Sequence, residues 1–137
     1  MKFAVQWGRN AAVPVATVEE LDTVLDHITD ERRPQMVNLF NPDHGDPWDE
    51  QRILQIGLGN PDRSFAYLDP DQVWAVDPTL EPASEPIWFN YGGTPTEYST
   101  ARTRIHPATA RQAARDFLTT DGQRPGHIDW QPMTGQV

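Results

Sequence analysis

Arg52 to Val76 reads RILQIGLGNPDRSFAYLDPDQVWAV, and the fold turns on it. Leu54, Ile56 and Leu58 alternate with Ile53, Gln55 and Gly57, the period-two pattern of a strand with one buried face. Gly59-Asn60-Pro61-Asp62 is turn chemistry. SFAYL and QVWAV follow as two short strands, and Asp69-Pro70-Asp71 between them is short enough for a hairpin. Consecutive strands joined by tight turns pair with their chain neighbours, so an antiparallel meander is expected. IWFNY, Ile87 to Tyr91, extends the run after a proline-rich loop, with Ile87, Phe89 and Tyr91 on one side.

Upstream, KFAVQW alternates Phe3, Val5 and Trp7 against Ala4 and Gln6 and reads as a half-buried strand. Pro14 is expected to end pairing in the connector that follows. Thr17 and Glu20 form a capping box that opens a helix over Thr17 to Ile28. Val18, Leu21, Val24, Leu25 and Ile28 share one face of it. QMVNLF, Gln35 to Phe40, is a further strand. Downstream, Pro107 suits the first position of a second helix that runs to Thr119. Ala110, Ala113, Ala114, Phe117 and Leu118 form its apolar stripe, with Arg111, Gln112, Arg115 and Asp116 outward. Gly122 suits a left-handed cap. HIDWQ closes the chain as a strand with Ile128 and Trp130 inward. The expected fold class is α+β, an antiparallel meander sheet with two helices packed on one face. Residues 1–137 are read as one domain, with 131–137 as a frayed tail.

A chain of 137 residues can bury roughly 70% of its unfolded surface, so it needs no staples. It has no cysteine, which removes disulfide frameworks, thiolate zinc sites and thiol nucleophiles together. The N-terminal MKFAVQWGRN lacks the apolar core of a signal peptide. No window approaches the ~20 apolar residues of a membrane span. A soluble, cytoplasmic protein is expected. Twenty acidic residues against 11 basic ones leave a formal net charge of −9. Such a surface repels nucleic acid and anionic lipid and attracts a basic partner.

The most acidic local segment is NPDHGDPWDEQ, Asn41 to Gln51. Asp43, His44, Asp46 and Asp49 are oxygen and imidazole donors that a divalent metal would accept. Their spacing matches no named site, and a solvated acidic binding loop is the better reading. Gly57-Leu58-Gly59 after a strand lacks the third glycine and the following helix of a dinucleotide fingerprint. His27, His44, His106 and His127 lie in different elements, and Ser64, Ser84 and Ser99 have no nucleophile-elbow context. His106 reads as a local capping or surface residue and His127 as an outward partner of Asp129. Of the five tryptophans, Trp7, Trp74, Trp88 and Trp130 sit in predicted strands and are expected in the core. Trp48 lies among carboxylates, the pattern of an aromatic anchor on a protein-binding surface or of a side chain that pins its own loop.

WFNYGGTPTEYSTARTRIHPATARQAARDFLTTDGQRPGHIDW, Trp88 to Trp130, resembles the C-terminal half of the Imm1 family of bacterial immunity proteins. The shared features are the aromatic strand ending in Tyr91-Gly92-Gly93, the acidic Glu97, and the Ala-rich helix ending in Phe117-Leu118. Gly122, Arg124-Pro125 and Trp130 complete them. ILQIGLGNPDRSFAYL is similar to the preceding hairpin of that family, so the likeness covers roughly Arg52 to Gln131. Asp121 before Gly122 departs from the tighter turn the family pattern suggests. The residues themselves make Gly92-Gly93 a structural bend that redirects the chain, with Pro95 discouraging further pairing. Glu97 is expected on the surface or paired with Arg102 or Arg104.

The resemblance implies a small non-enzymatic protein, frequent in actinobacteria, encoded beside a polymorphic toxin that it neutralises. No cofactor, metal or catalytic residue is implied. The partner is expected to be a cognate, basic toxin domain, a nuclease or nucleic-acid deaminase, rather than nucleic acid or membrane. Asp43, Asp46, Trp48, Asp49 and Glu50 are the expected toxin-binding residues, with Asp69 and Asp71 of the hairpin turn as a second set. The alternative is a small acidic metal-dependent hydrolase built on the Asp43–Asp49 loop. Oligomeric state is open, since edge strands of a meander can pair with another copy.

Overall fold

The structure, a computed structural model, describes residues 3–42 and 52–133. In chain order its elements are β1 (Phe3–Trp7), β2 (Val13–Val15), α1 (Val18–Asp30), β3 (Gln35–Phe40), β4 (Ile53–Leu58), β5 (Ala66–Asp69), β6 (Val73–Val76), β7 (Ile87–Tyr91), β8 (Thr94–Tyr98), α2 (Pro107–Thr119) and β9 (Asp129–Pro132). The fold is α+β, with an open antiparallel sheet in the order β2-β1-β3-β4-β5-β6-β9. The β3-β4-β5-β6 stretch is the expected meander, registered through Leu54↔Leu68 and Leu68↔Val73.

Alternation then decides which side chains meet the helices. Phe3, Val5, Val37, Leu39, Leu54, Ile56, Leu68 and Ala75 form one core with Leu21, Leu25 and Ile28 of α1 and the buried stripe Ala110, Ala113, Ala114, Phe117 and Leu118 of α2. Each fully buried Leu or Phe contributes roughly 1.5–3 kcal/mol. Both helices therefore lie on one face of the sheet. Thr17 caps α1 by accepting from the Glu20 amide at 3.1 Å, and the Glu20 carboxylate reaches back to the Ala16 amide at 2.8 Å.

The helices are tied to each other as well. Arg115 grips Asp22 with two bonds of 2.9 and 3.1 Å, and Arg111 meets Asp26 at 2.8 Å. These arginines, expected to face solvent, are half-buried between the helices instead. The Asp22 carboxylate raises the affinity of Arg115 for its proton still further, chiefly through that hydrogen bond.

Several expectations are corrected. Pro14 does not end pairing: β2 runs antiparallel to β1, with Pro14 opposite Ala4. β2 is the sheet's edge, where a residue without an amide proton is tolerated. IWFNY does not extend the meander. After the loop rich in proline, β7 touches β3 through a single parallel pairing, Gln35↔Asn90, and the place beside β6 goes to β9. Gly92-Gly93 is more than a bend. It is the two-residue turn of a β7-β8 hairpin, with φ of 59° and 98° and Tyr91 opposite Thr94. Positive φ at both positions matches the twist of the flanking strands. Pro95 sits within the paired β8, opposite Asn90.

Trp88, expected in the core, is 54% exposed. Its neighbour Phe89 takes the inward position instead, and a two-residue period cannot bury both. His127 precedes β9 and meets the Asp116 carboxylate at 2.8 Å, rather than Asp129. Gln131, the last residue of the expected closing strand, pairs with Trp74, and Pro132 beyond it pairs with Val73.

Candidate functional site

Among the described residues, the face of the sheet away from the helices is only partly covered. The β7-β8 hairpin folds over one end of it. There Phe89 and Tyr98 pack with Met36, Phe65 and Trp74 in a second, smaller core. Phe65 stacks on Tyr98 at 4.3 Å and meets the edge of Phe89 at 5.0 Å. Gly57 permits this, because a Cβ there would lie 2.6 Å from Phe89 and 2.8 Å from Phe65. Gly57-Leu58-Gly59 is thus a packing feature. Gly59 passes so close to the Arg33 carbonyl that a Cβ would sit 2.5 Å from its oxygen.

Beside the hairpin the same face carries a row of aligned positions. The pairings Gln6↔Asn38, Asn38↔Gln55, Gln55↔Tyr67, Tyr67↔Trp74 and Trp74↔Gln131 place six residues in line across six strands. At one strand spacing per step the row is about 24 Å long. Gln6, Asn38 and Gln55 are amides, Tyr67 and Trp74 are aromatic, and Gln131 closes the row with a further amide. Asn38 donates to the Gln6 side chain at 3.1 Å, which in turn donates to the Gly8 carbonyl at 3.0 Å. Four of the six, Gln6, Asn38, Gln55 and Tyr67, are half-buried and so open to a partner. Burial, then the nearby Asp69, raises the Tyr67 hydroxyl above its ordinary range, and Arg102 partly offsets this. Tyr67 thus stays a hydrogen-bond donor at any physiological pH.

The aromatic end of the row opens into a groove of about 480 Å³ lined by Tyr67, Asp71, Gln72, Trp74, Arg102 and Met133, with Pro132 beside them. Arg102 comes from the turn after β8, where its amide bonds to the Ser99 carbonyl at 3.1 Å. It is 9% exposed, its guanidinium carbon lies 4.7 Å over the Trp74 ring, and it donates to the Met133 carbonyl at 3.3 Å. Glu97, a sequence candidate for its partner, is exposed on β8.

Of the expected binding residues, Asp43, Asp46, Trp48, Asp49 and Glu50 lie outside the described residues. So does the Asp43–Asp49 loop on which the hydrolase alternative rests. Asp69 ends β5, half-buried, opposite Ile53. Asp71 is already engaged: Arg52 reaches it at 3.2 Å and Arg124 at 2.9 Å. Burial pushes the Asp71 carboxyl up, but the hydrogen bonds from Arg124 and Arg52 outweigh it and hold the group below the usual carboxylate range. Among the described residues no group of three or more His, Asp or Glu is placed to hold a metal.

The sequence model of one family, Immunity protein Imm1, matches residues 9–132. The chain belongs to the Imm1 immunity protein family. The Imm1 match takes in both helices and every strand but β1. It therefore covers the acidic loop and strands upstream of the residues that carry the resemblance in sequence. No curated protein and no solved structure matches the chain. Imm1 membership implies a toxin as partner and a binding role in place of an enzymatic one. No helix among the described residues is long and apolar enough to cross a membrane.

The sequence reading missed the row and the groove. Gln6, Asn38 and Gln55 each stand out as polar members of apolar strands, a signal that was present. Their alignment is set by inter-strand register, which no single strand carries.

Proposed function

We propose that this chain is the antidote to a polymorphic-toxin domain, a nuclease or nucleic-acid deaminase that works on a polyanion, and that it acts in the cytoplasm by covering the toxin's active site or substrate groove. The observation that carries the reading is the Imm1 match over residues 9–132. The charge supports it: a protein of net charge −9 presents carboxylates where a basic enzyme expects phosphates. Asp43, Asp46, Trp48, Asp49 and Glu50 are proposed as part of the contact, with Asp69 as a further contributor. Asp71, held between Arg52 and Arg124, acts by shaping the turn.

The test is co-expression with the C-terminal domain of the protein encoded next to this gene. That domain is expected to kill alone and to be harmless in company. The combined substitution of Trp48→Ala, Asp46→Lys and Asp49→Lys should restore killing while leaving the thermal midpoint of the antidote unchanged. Full protection by that variant removes the loop from the contact, and a harmless neighbour removes the antidote reading.

A further inference from the structure

Arg102 is a buried cation without a counter-ion among the described residues. A guanidinium has five N–H donors, and among the described residues this one meets the face of Trp74 and a single carbonyl, that of Met133. Burying a charge is costly unless it is paired and hydrogen-bonded. The neighbouring carboxylate in the groove does not discharge the debt, since Asp71 is bound by Arg52 and Arg124. The charged groups among the described lining residues are Arg102 and Asp71, and Asp71 is shared by Arg52 and Arg124. The Tyr67 hydroxyl, kept protonated, is a further donor, and its ring leans on Trp74 at 4.6 Å.

We infer that the Tyr67–Trp74–Arg102 groove is a seat for one carboxylate side chain, an Asp or Glu projecting from the toxin domain. A planar fork matches a carboxylate with two parallel bonds. Asp71 in the lining disfavours a dianionic phosphate more than a singly charged carboxylate. The volume of about 480 Å³ admits a side chain and leaves no room for a domain. The source of the carboxylate rests on the antidote reading above; the anion chemistry of the groove does not. On an interface steered by acid-on-base attraction, one contact of opposite polarity fixes orientation and rejects partners that lack it.

Two measurements test this. In the first, the Arg102 Nε–Hε resonance, assigned by its loss in Arg102→Met, is followed by NMR during titration with N-acetylglutamate and, separately, inorganic phosphate. A saturable shift with N-acetylglutamate, weaker with phosphate, is expected. No shift with either overturns the seat, and a stronger response to phosphate overturns its assignment to carboxylate.

In the second, the dissociation constant for the toxin domain is measured for the parent, Arg102→Met and Arg102→Lys, each checked for an unchanged near-UV spectrum. Loss of a buried charged contact should weaken the complex by about 30-fold or more in Arg102→Met. Arg102→Lys, which keeps charge without the fork, should fall between. Parent-like affinity in both variants overturns the toxin as the source. A parent that does not bind the neighbour's domain at all overturns the antidote reading, and the titration still decides the seat.

Discussion

At Gly57 a hydrogen atom in place of a methyl group lets an aromatic cluster rest on the sheet. The would-be Cβ lies 2.6 Å from Phe89 and 2.8 Å from Phe65. Gly57→Ala should therefore cost about 1–3 kcal/mol by overpacking, read as a lowered urea midpoint with an unchanged slope. An unaltered midpoint would mean that the hairpin shifts freely. Asp71 offers a different kind of test. Its two arginine partners have side chains 36% and 45% exposed, so the pair energies are screened and Asp71→Asn should cost only about 1 kcal/mol near neutral pH.

The sign with pH follows from the lowered native pKa of Asp71. The contribution is fully present above the unfolded value of about 3.9 and is lost as pH falls through the lower folded value. Unfolding curves of the parent and Asp71→Asn should converge in acid; a gap that stays constant with pH would show that the carboxylate charge is not what stabilises the turn. Trp74 and Trp88 mark the limit of sequence reading at this scale. Both are tryptophans in short strands, yet one is 8% and the other 54% exposed.

Among the elements, α1, α2, β1, β3 and β4 were legible because their signals are local. A capping box, a proline at the first turn and an alternating strand each act within a few residues. The β7-β8 hairpin was half legible. Its glycines marked a reversal, but Pro95 argued against a second strand. The pairing survives because, among the described residues, β8 pairs with β7 alone, and an edge strand tolerates a missing donor. The two turn positions differ. Gly92 has open space and φ of 59°, whereas Gly93 has φ of 98° and is crowded by Arg9. Gly92→Asn should be close to neutral, since Asn-Gly suits this turn. Gly93→Ala should destabilise by about 1–2 kcal/mol. Equal thermal midpoints for the two variants would contradict this assignment of the turn.

For the molecule as a whole, one sheet serves two faces. The helices close one face, and the hairpin closes part of the other, which leaves the amide-aromatic row and the Arg102 groove beside it. On the proposed reading of a basic partner, the net charge of −9 acts at this scale through long-range steering. The association rate with the toxin domain should fall by about tenfold or more between low and high salt, measured by stopped-flow mixing. A rate indifferent to salt would leave the acidic surface without a role in encounter. The candidate site was the least legible part of the chain. The acidic loop announced itself by composition, but Arg102 lies in a segment, TARTR, with no pattern of its own. Its partner Trp74 is 28 positions away.

By itself the sequence determined the α+β class, the meander, both helices with their buried stripes, and the net charge of −9. Each follows from periodicity, end-capping or charge, which are properties of neighbours along the chain. The tertiary structure alone decided that β9, and not β7, lies beside β6, and that Gln6, Asn38, Gln55, Tyr67 and Trp74 form one line. It alone carried the Arg102 guanidinium to the Trp74 ring. Those outcomes depend on inter-strand register and on where a long loop returns, and both are set by burial summed over the whole core.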